Sequence, residues 1–275
     1  MLPLRRGWCR WSPASFDGRW AVGARWGAPG APQGREGMVA PTRKLPRGAT
    51  LAAAWAFLTR MARRSGATDA EFYGSLAGDE VLSHPMVEWT RATTIAAPAD
   101  AVWPWLVQMG YHRAGWYTNE RIDRLVWRVD NPNAEEILPQ FQQLEVGDVV
   151  PDGPDYAAFF RVLTVERPHA LVYRSIRHLY RGHPVNAADP ETLAQVERDL
   201  LAGGTYIDFT WAFALRDGGN GTTRLIIRTR ANAAPGWAIA LLRAPLGLVD
   251  WFHVATMFRG IRRRAEGLGH PGTAG

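Results

Sequence analysis

The chain has 275 residues, 47% of them hydrophobic, which suffices for one good-sized domain with a sizeable core. Its formal charge of +6 is local. Residues 1–48 hold nine Lys and Arg against Asp17 and Glu36, and the remainder holds 23 basic against 24 acidic side chains, so a basic nucleic-acid-binding domain is excluded and no nucleic-acid partner is expected. The single cysteine, Cys9, excludes an intrachain disulfide and a thiolate metal cluster, and fits a reducing, cytoplasmic location.

Residues 1–48 are rich in Gly, Pro, Arg and Trp without a period of 2 or 3.6, which predicts an unstructured extension. The run Leu51 to Leu58, "LAAAWAFL", falls well short of the ~18 to 20 apolar residues of a membrane span and lacks a small-residue cleavage site, so no secretory signal is expected. A helix with a basic C-terminal end is predicted from Thr50 to Ser65, stopped by Gly66, within an extension and linker over residues 49–80. Interleaved Trp and Arg leave open a weak contact of residues 1–65 with a membrane surface.

The domain proper is expected over residues 81–267, with a flexible end over 268–275. "VEWTRATTI", Val87 to Ile95, is β-branched and partly alternating and predicts the first strand. Pro98 then opens a helix whose Val102, Trp105, Leu106 and Met109 share one stripe; Pro104 should kink or shorten it, and Gly110 ends it. Ile122, Leu125, Val126 and Val129 repeat the spacing in a second helix, with Asp123 a candidate partner for Arg113 in the turn between. Short strands follow: "DVVP", "FFRVLTVE" (Phe159 to Glu166) and "ALVYRSI" (Ala170 to Ile176). An insertion over about 179–204 contains an amphipathic helix opened by Asp189 and Pro190 and stopped by Gly203 and Gly204.

Two long strands, Thr205 to Leu215 and Thr222 to Ala233, flank the hairpin signal "RDGGNG". Alternation puts Ile207, Phe209, Trp211, Phe213 and Leu215 on one face with Leu225, Ile227 and Thr229, and turns Arg224, Arg228 and Arg230 toward water. A last helix is predicted from Ala238 to Glu266, kinked or broken at Pro245. Its Leu248, Trp251, Val254, Met257, Phe258 and Ile261 form one apolar arc, opposite Arg259, Arg263 and Thr256, and that arc must bury itself against the sheet.

Segment by segment, "GATDAEF", "LAGDEVL", "TRATTIAAPADAVWPWLVQMGYHRAGWY", "VGDVVP", "TWAFAL" and "FRGIRRRAEG" resemble the START-like, polyketide-cyclase/dehydrase-like superfamily often labelled SRPBCC, over about residues 66–267. The resemblance implies an α+β helix-grip fold: a curved antiparallel sheet wrapped around a long C-terminal helix, with two short helices after the first strand and an apolar cavity between sheet and helix. It further implies binding of a small hydrophobic or aromatic molecule, lipid or polyketide-like, as partner. An aromatase/cyclase-type enzyme on a polyketide-like substrate and a membrane-apposed lipid carrier are its alternatives. This chain departs in its insertion over 179–204, and in lacking, over residues 1–65, a segment long enough to span a membrane.

No Gly-rich phosphate loop, His-Glu-x-x-His or Gly-x-Ser-x-Gly is present, and His178 and His183 lie five apart without acidic partners, so neither metal nor other cofactor is expected and no catalytic residue is assigned. Two charges on apolar faces stand out. Asp250 lies at the edge of the helix arc and Arg91 shares a strand face with Trp89 and Ile95, so the two are expected either to anchor a polar group of the ligand or to pair structurally. The other candidate contacts are Phe209, Trp211, Phe213 and Thr229 on the sheet face and Trp251, Val254 and Phe258 on the helix, with Trp116 and Tyr117 at the rim.

Overall fold

Alternating β-branched and aromatic residues build one six-stranded antiparallel sheet from β1 (Val87–Ile95), β2 (Val149–Pro151), β3 (Phe159–Glu166), β4 (Ala170–His178), β5 (Tyr206–Gly219) and β6 (Thr222–Ala234). A computed structural model describes residues 47–124, 130–154, 158–179 and 190–267. The extension over 1–46, the end over 268–275, His183, Asp189, and Leu125, Val126 and Val129 of the expected second helix lie outside the described residues. The strand order is β1-β6-β5-β4-β3-β2, a meander from β2 to β6 with the first strand added beside the last. Asn220 and Gly221 hold positive φ of 52° and 74° in the β5–β6 turn, the conformation a tight hairpin requires.

Among the described residues six α-helices accompany the sheet: α1 (Arg47–Arg64), α2 (Asp69–Tyr73), α3 (Ala99–Val107), the single turn α4 (Glu120–Ile122), α5 (Pro190–Gly203) and α6 (Gly236–Ala265). The long helix is unbroken. Pro245 lies within it at an exposed position and the helix continues through it, so the expected break does not occur. Val254, Met257, Phe258 and Ile261 of α6 bury against Ile95, Leu225 and Ile227 of the concave sheet face. This is the helix-grip architecture. Thr256, expected on the outer arc, is buried.

The convex face is covered as well. Arg224, Arg228 and Arg230, expected to face water, lie under residues 66–82. Strand alternation fixes the face of a side chain but not what chain crosses over it. Arg228 is buried, and all five of its N–H donors are used: Nε to Thr90 Oγ1 (2.9 Å), Nη1 to Asp79 Oδ2 (2.6 Å) and the Gly74 carbonyl (3.0 Å), and Nη2 to the carbonyls of Glu71 (2.7 Å) and Phe72 (2.8 Å). Arg224 makes a bidentate pair with Glu71 (2.6 and 2.9 Å), and Arg230 donates to Glu88 (2.6 Å) and the Asp79 carbonyl (2.7 Å). The Arg224 guanidinium holds the Glu71 carboxyl well below its usual 4.5, at about 2. Thr68 and Glu71 close α2 with a reciprocal capping box, which aims Glu71 at the sheet.

α5 lies beside β4 and β5, and its buried Leu193 packs with Phe159 of β3. Arg113 pairs differently from expectation: it donates to the carbonyls of Val107 (2.9 Å) and Met109 (3.0 Å) and lies over the Phe141 ring, while Asp123 accepts from Thr118 Oγ1. The carbonyls left free at the C-terminal end of α3 lie nearer to Arg113 in sequence and take its donors.

Candidate functional site

A cavity of about 220 Å³ lies between the sheet and the first half of α6. The sheet contributes Trp89 from β1, Ile207 and Phe209 from β5, and Thr229 and Ala231 from β6. The strands place these in register, with Trp89 opposite Thr229 and Phe209 opposite Ala231. The small side chains at 229 and 231 leave room that a Leu or Phe there would occupy. From α6 come Ile239 and the stripe Leu246, Val249, Asp250 and His253. The last four sit at i, i+3, i+4 and i+7, one helical face, on the flank of the arc that fills the core.

Three polar groups interrupt this apolar lining. Arg91, 1% exposed, donates through Nη1 to Asp250, which is 23% exposed and faces the cavity from the other side of the pair. Arg91 Nη2 serves the carbonyls of Ala62 in α1 and Gly247 in α6, the latter at 3.1 Å, so one cation joins β1, α1 and α6. Burial pushes the Arg91 guanidinium below its usual value, and Asp250 opposes that shift. Thr229 Oγ1 is buried in the cavity wall without a hydrogen-bond partner among the described residues, and Nε1 of Trp211, its register partner on β5 in the adjoining core, is likewise buried and unpartnered. The ring of His253 sits 6.1 Å from that of Trp211.

Of the residues singled out from sequence, Phe209, Thr229 and Asp250 line the cavity and Arg91 stands behind Asp250. Trp211, Phe213, Val254 and Phe258 belong to the packed core, and Trp251 is half-buried on α6 away from the lining. Trp116 and Tyr117, expected at the rim, are buried. Gly115, at φ 74°, pairs with Gly110 and folds the segment inward. Trp116 then stacks with Phe160 (5.4 Å) and Trp211 (5.5 Å), and the Tyr117 hydroxyl accepts from Gln108 Nε2 at 2.8 Å, its pKa pushed up by burial. A Cβ at Gly260 would come within 2.3 Å of the Tyr117 carbonyl, so α6 approaches this turn only at a glycine. These aromatics fill the deep interior and confine the void to one end.

Sequence reasoning missed Ile207, Ala231, Ile239, Leu246, Val249 and His253 as cavity residues. The alternation through Phe209 and the heptad-like spacing through Asp250 point to several of them, but periodicity reports which face a residue takes and not where packing leaves space.

A wider cleft, about 520 Å³, lies between α4 and the end of α6 and is lined largely by charged side chains such as Arg121, Arg259 and Glu120. Part of its charge is already paired, Arg263 and Arg264 both with Glu135. Among the described residues no group of His, Cys, Asp or Glu could hold a metal ion, and no helix is long and apolar enough to cross a membrane.

No family model and no curated protein matches this chain. Among solved structures it is similar to a conserved protein from Geobacillus kaustophilus, at 12% identity over 67% of this chain and 98% of that one, with a TM-score of 0.37. It is also similar to truncated norcoclaurine synthase from Thalictrum flavum (15% identity, 67% and 94% covered, TM-score 0.35) and to CalU16 from Micromonospora echinospora (16%, 66% and 84%, 0.28). The fold assignment stands on the chain's own strand order, on the helices α3 and α4 after β1, and on α6 held in the concave face: the chain has the α+β helix-grip fold that its resemblance to the SRPBCC superfamily implies.

Proposed function

We propose that this chain binds a small apolar or aromatic molecule carrying one oxygen function in the cavity between the sheet and α6. The observation that carries the reading is a hydroxyl, Thr229 Oγ1, buried and unpartnered in an otherwise apolar wall that Asp250 completes. An apolar interior with one unmet donor and one carboxylate is complementary to an aromatic alcohol or a compact ketone. The volume favours binding of a small molecule, or of one end of a larger one. At about 220 Å³ it lies below the ~300–1,000 Å³ usual for ligand sites, and a folded polyketide-like substrate would exceed it.

The test uses 2-naphthol, an intrinsically fluorescent aromatic alcohol, titrated into the full chain. Saturable binding is expected, with loss in Ala231→Phe, whose ring would occupy the void. Absence of saturable binding, or binding unchanged in a folded Ala231→Phe protein, overturns the reading.

A further inference from the structure

The geometry points to a docking surface for an anionic membrane, formed by the outward sides of α1 and the first half of α6, with the cavity mouth within it. The inference rests on the reading of the cavity as an apolar-ligand site and names where that ligand enters and leaves. Of the thirteen large apolar side chains exposed among the described residues, eight lie on these two helices. On α1 they are Trp55, Phe57, Leu58 and Met61. On α6 they are Trp237, Leu241, Val249 and Phe252, which with Pro245 form one stripe along the helix. Burying a face of this kind is the usual reason for exposing it.

Charge selects the occupant. The described charged side chains of α1 and of α6 up to Val249 are Arg60, Arg63 and Arg64, of which Arg60 and Arg63 are exposed and Arg64 pairs with Asp69, and neither stretch of sequence holds an Asp or Glu. Apolar stripes with interfacial Trp beside the exposed cations Arg60 and Arg63 match a bilayer containing anionic lipid. The two helices meet where Arg91 Nη2 bonds the carbonyls of Ala62 and Gly247. That junction is one turn or less from exposed Met61 and from Val249, and Val249 both lines the cavity and is 47% exposed. A molecule passing Val249 therefore moves between the cavity and the apolar layer in which the stripe would sit.

The test is cosedimentation of the full chain with vesicles of phosphatidylcholine alone and of phosphatidylcholine with phosphatidylglycerol. Binding to the anionic vesicles is expected, weakened as salt rises from about 0.1 to about 0.5 M. The pair Phe57→Glu and Leu241→Glu, on exposed positions outside the cavity, should reduce it by about tenfold or more while leaving 2-naphthol binding intact. No binding to anionic vesicles overturns the proposal. So does binding that both substitutions leave unchanged, which would assign it to the basic residues 1–48, or a self-association by light scattering that the substitutions abolish in a chain that binds no vesicles. The arms separate from the cavity reading: Ala231→Phe should lose 2-naphthol and keep vesicles, and loss of vesicle binding alone leaves the cavity reading standing.

Discussion

Arg228 and Arg91 occupy neighbouring rungs of the β1–β6 ladder and point to opposite faces of the same sheet. Both are almost fully buried, yet their surroundings differ. Arg228 spends all five donors on Thr90, Asp79 and three carbonyls, whereas Arg91 holds Asp250 and two carbonyls and leaves Nε unmatched. The convex face is a closed polar network, complete without any further molecule. The concave face carries unmet donors at Arg91, Thr229 and Trp211, of which Thr229 lines the apolar cavity. Among the described residues, groups that fold stability alone would satisfy are satisfied around Arg228 on one side of the sheet and left open on the other, the side of the proposed ligand site.

The largest effect should come from breaking the closed face. Arg228→Met takes one cation from Asp79, which keeps Arg230, and leaves the buried carbonyls of Glu71 and Phe72 and the half-buried one of Gly74 without this donor, and is expected to lower unfolding free energy by about 3–5 kcal/mol in urea titration. A loss below about 1 kcal/mol would contradict a closed network. Arg91→Met should cost less, about 2–4 kcal/mol, because Asp250 keeps partial access to water. Its distinguishing sign is faster proteolysis within α1, which loses the tie at Ala62.

Acid sharpens the contrast further. With the Glu71 carboxyl held at about 2 in the folded chain against an ordinary 4.5, its pairing stabilises the fold fully above about pH 4.5 and is lost as pH falls toward 2. Glu71→Gln should therefore flatten that limb of the stability profile; an unchanged acid limb in the variant would refute the assignment. The smallest effect is expected on the open face. Thr229→Val removes a buried, unpaired hydroxyl and should leave stability unchanged or raise it by up to about 1 kcal/mol, while weakening 2-naphthol binding. A variant that loses stability instead would show that the hydroxyl was already satisfied.

Strands were the most legible elements. The alternation in "VEWTRATTI" and "FFRVLTVE" reproduces β1 and β3 to the residue, because a half-buried strand writes its face into every second position. The Arg91–Asp250 pair was legible for the same reason, each charge interrupting an apolar face. Arg228 was not, since an arginine on the outer face of a strand reads as solvated until residues 66–82 are known to cross it. Trp116 and Tyr117 lie away from the apolar cavity, with Tyr117 instead lining the wider cleft, and the inward turn at Gly115 that places them depends on backbone conformation that spacing does not encode. A cavity between sheet and long helix was expected from the resemblance, but its bounds were not legible, because a void is a property of summed side-chain volumes across β1, β5, β6 and α6, which no single segment carries.

The tie at Arg91 also decides how much of the chain can be cut away. A chain begun at Val81, where the strand pattern starts, would leave Arg228 without Asp79 and without the carbonyls of Glu71, Phe72 and Gly74. One begun at Gly66 restores those but strips Arg91 of the Ala62 carbonyl. A form of this protein that keeps both ties therefore starts at α1, and the segment expected as an extension and linker over residues 49–80 belongs to the same compact unit as the sheet.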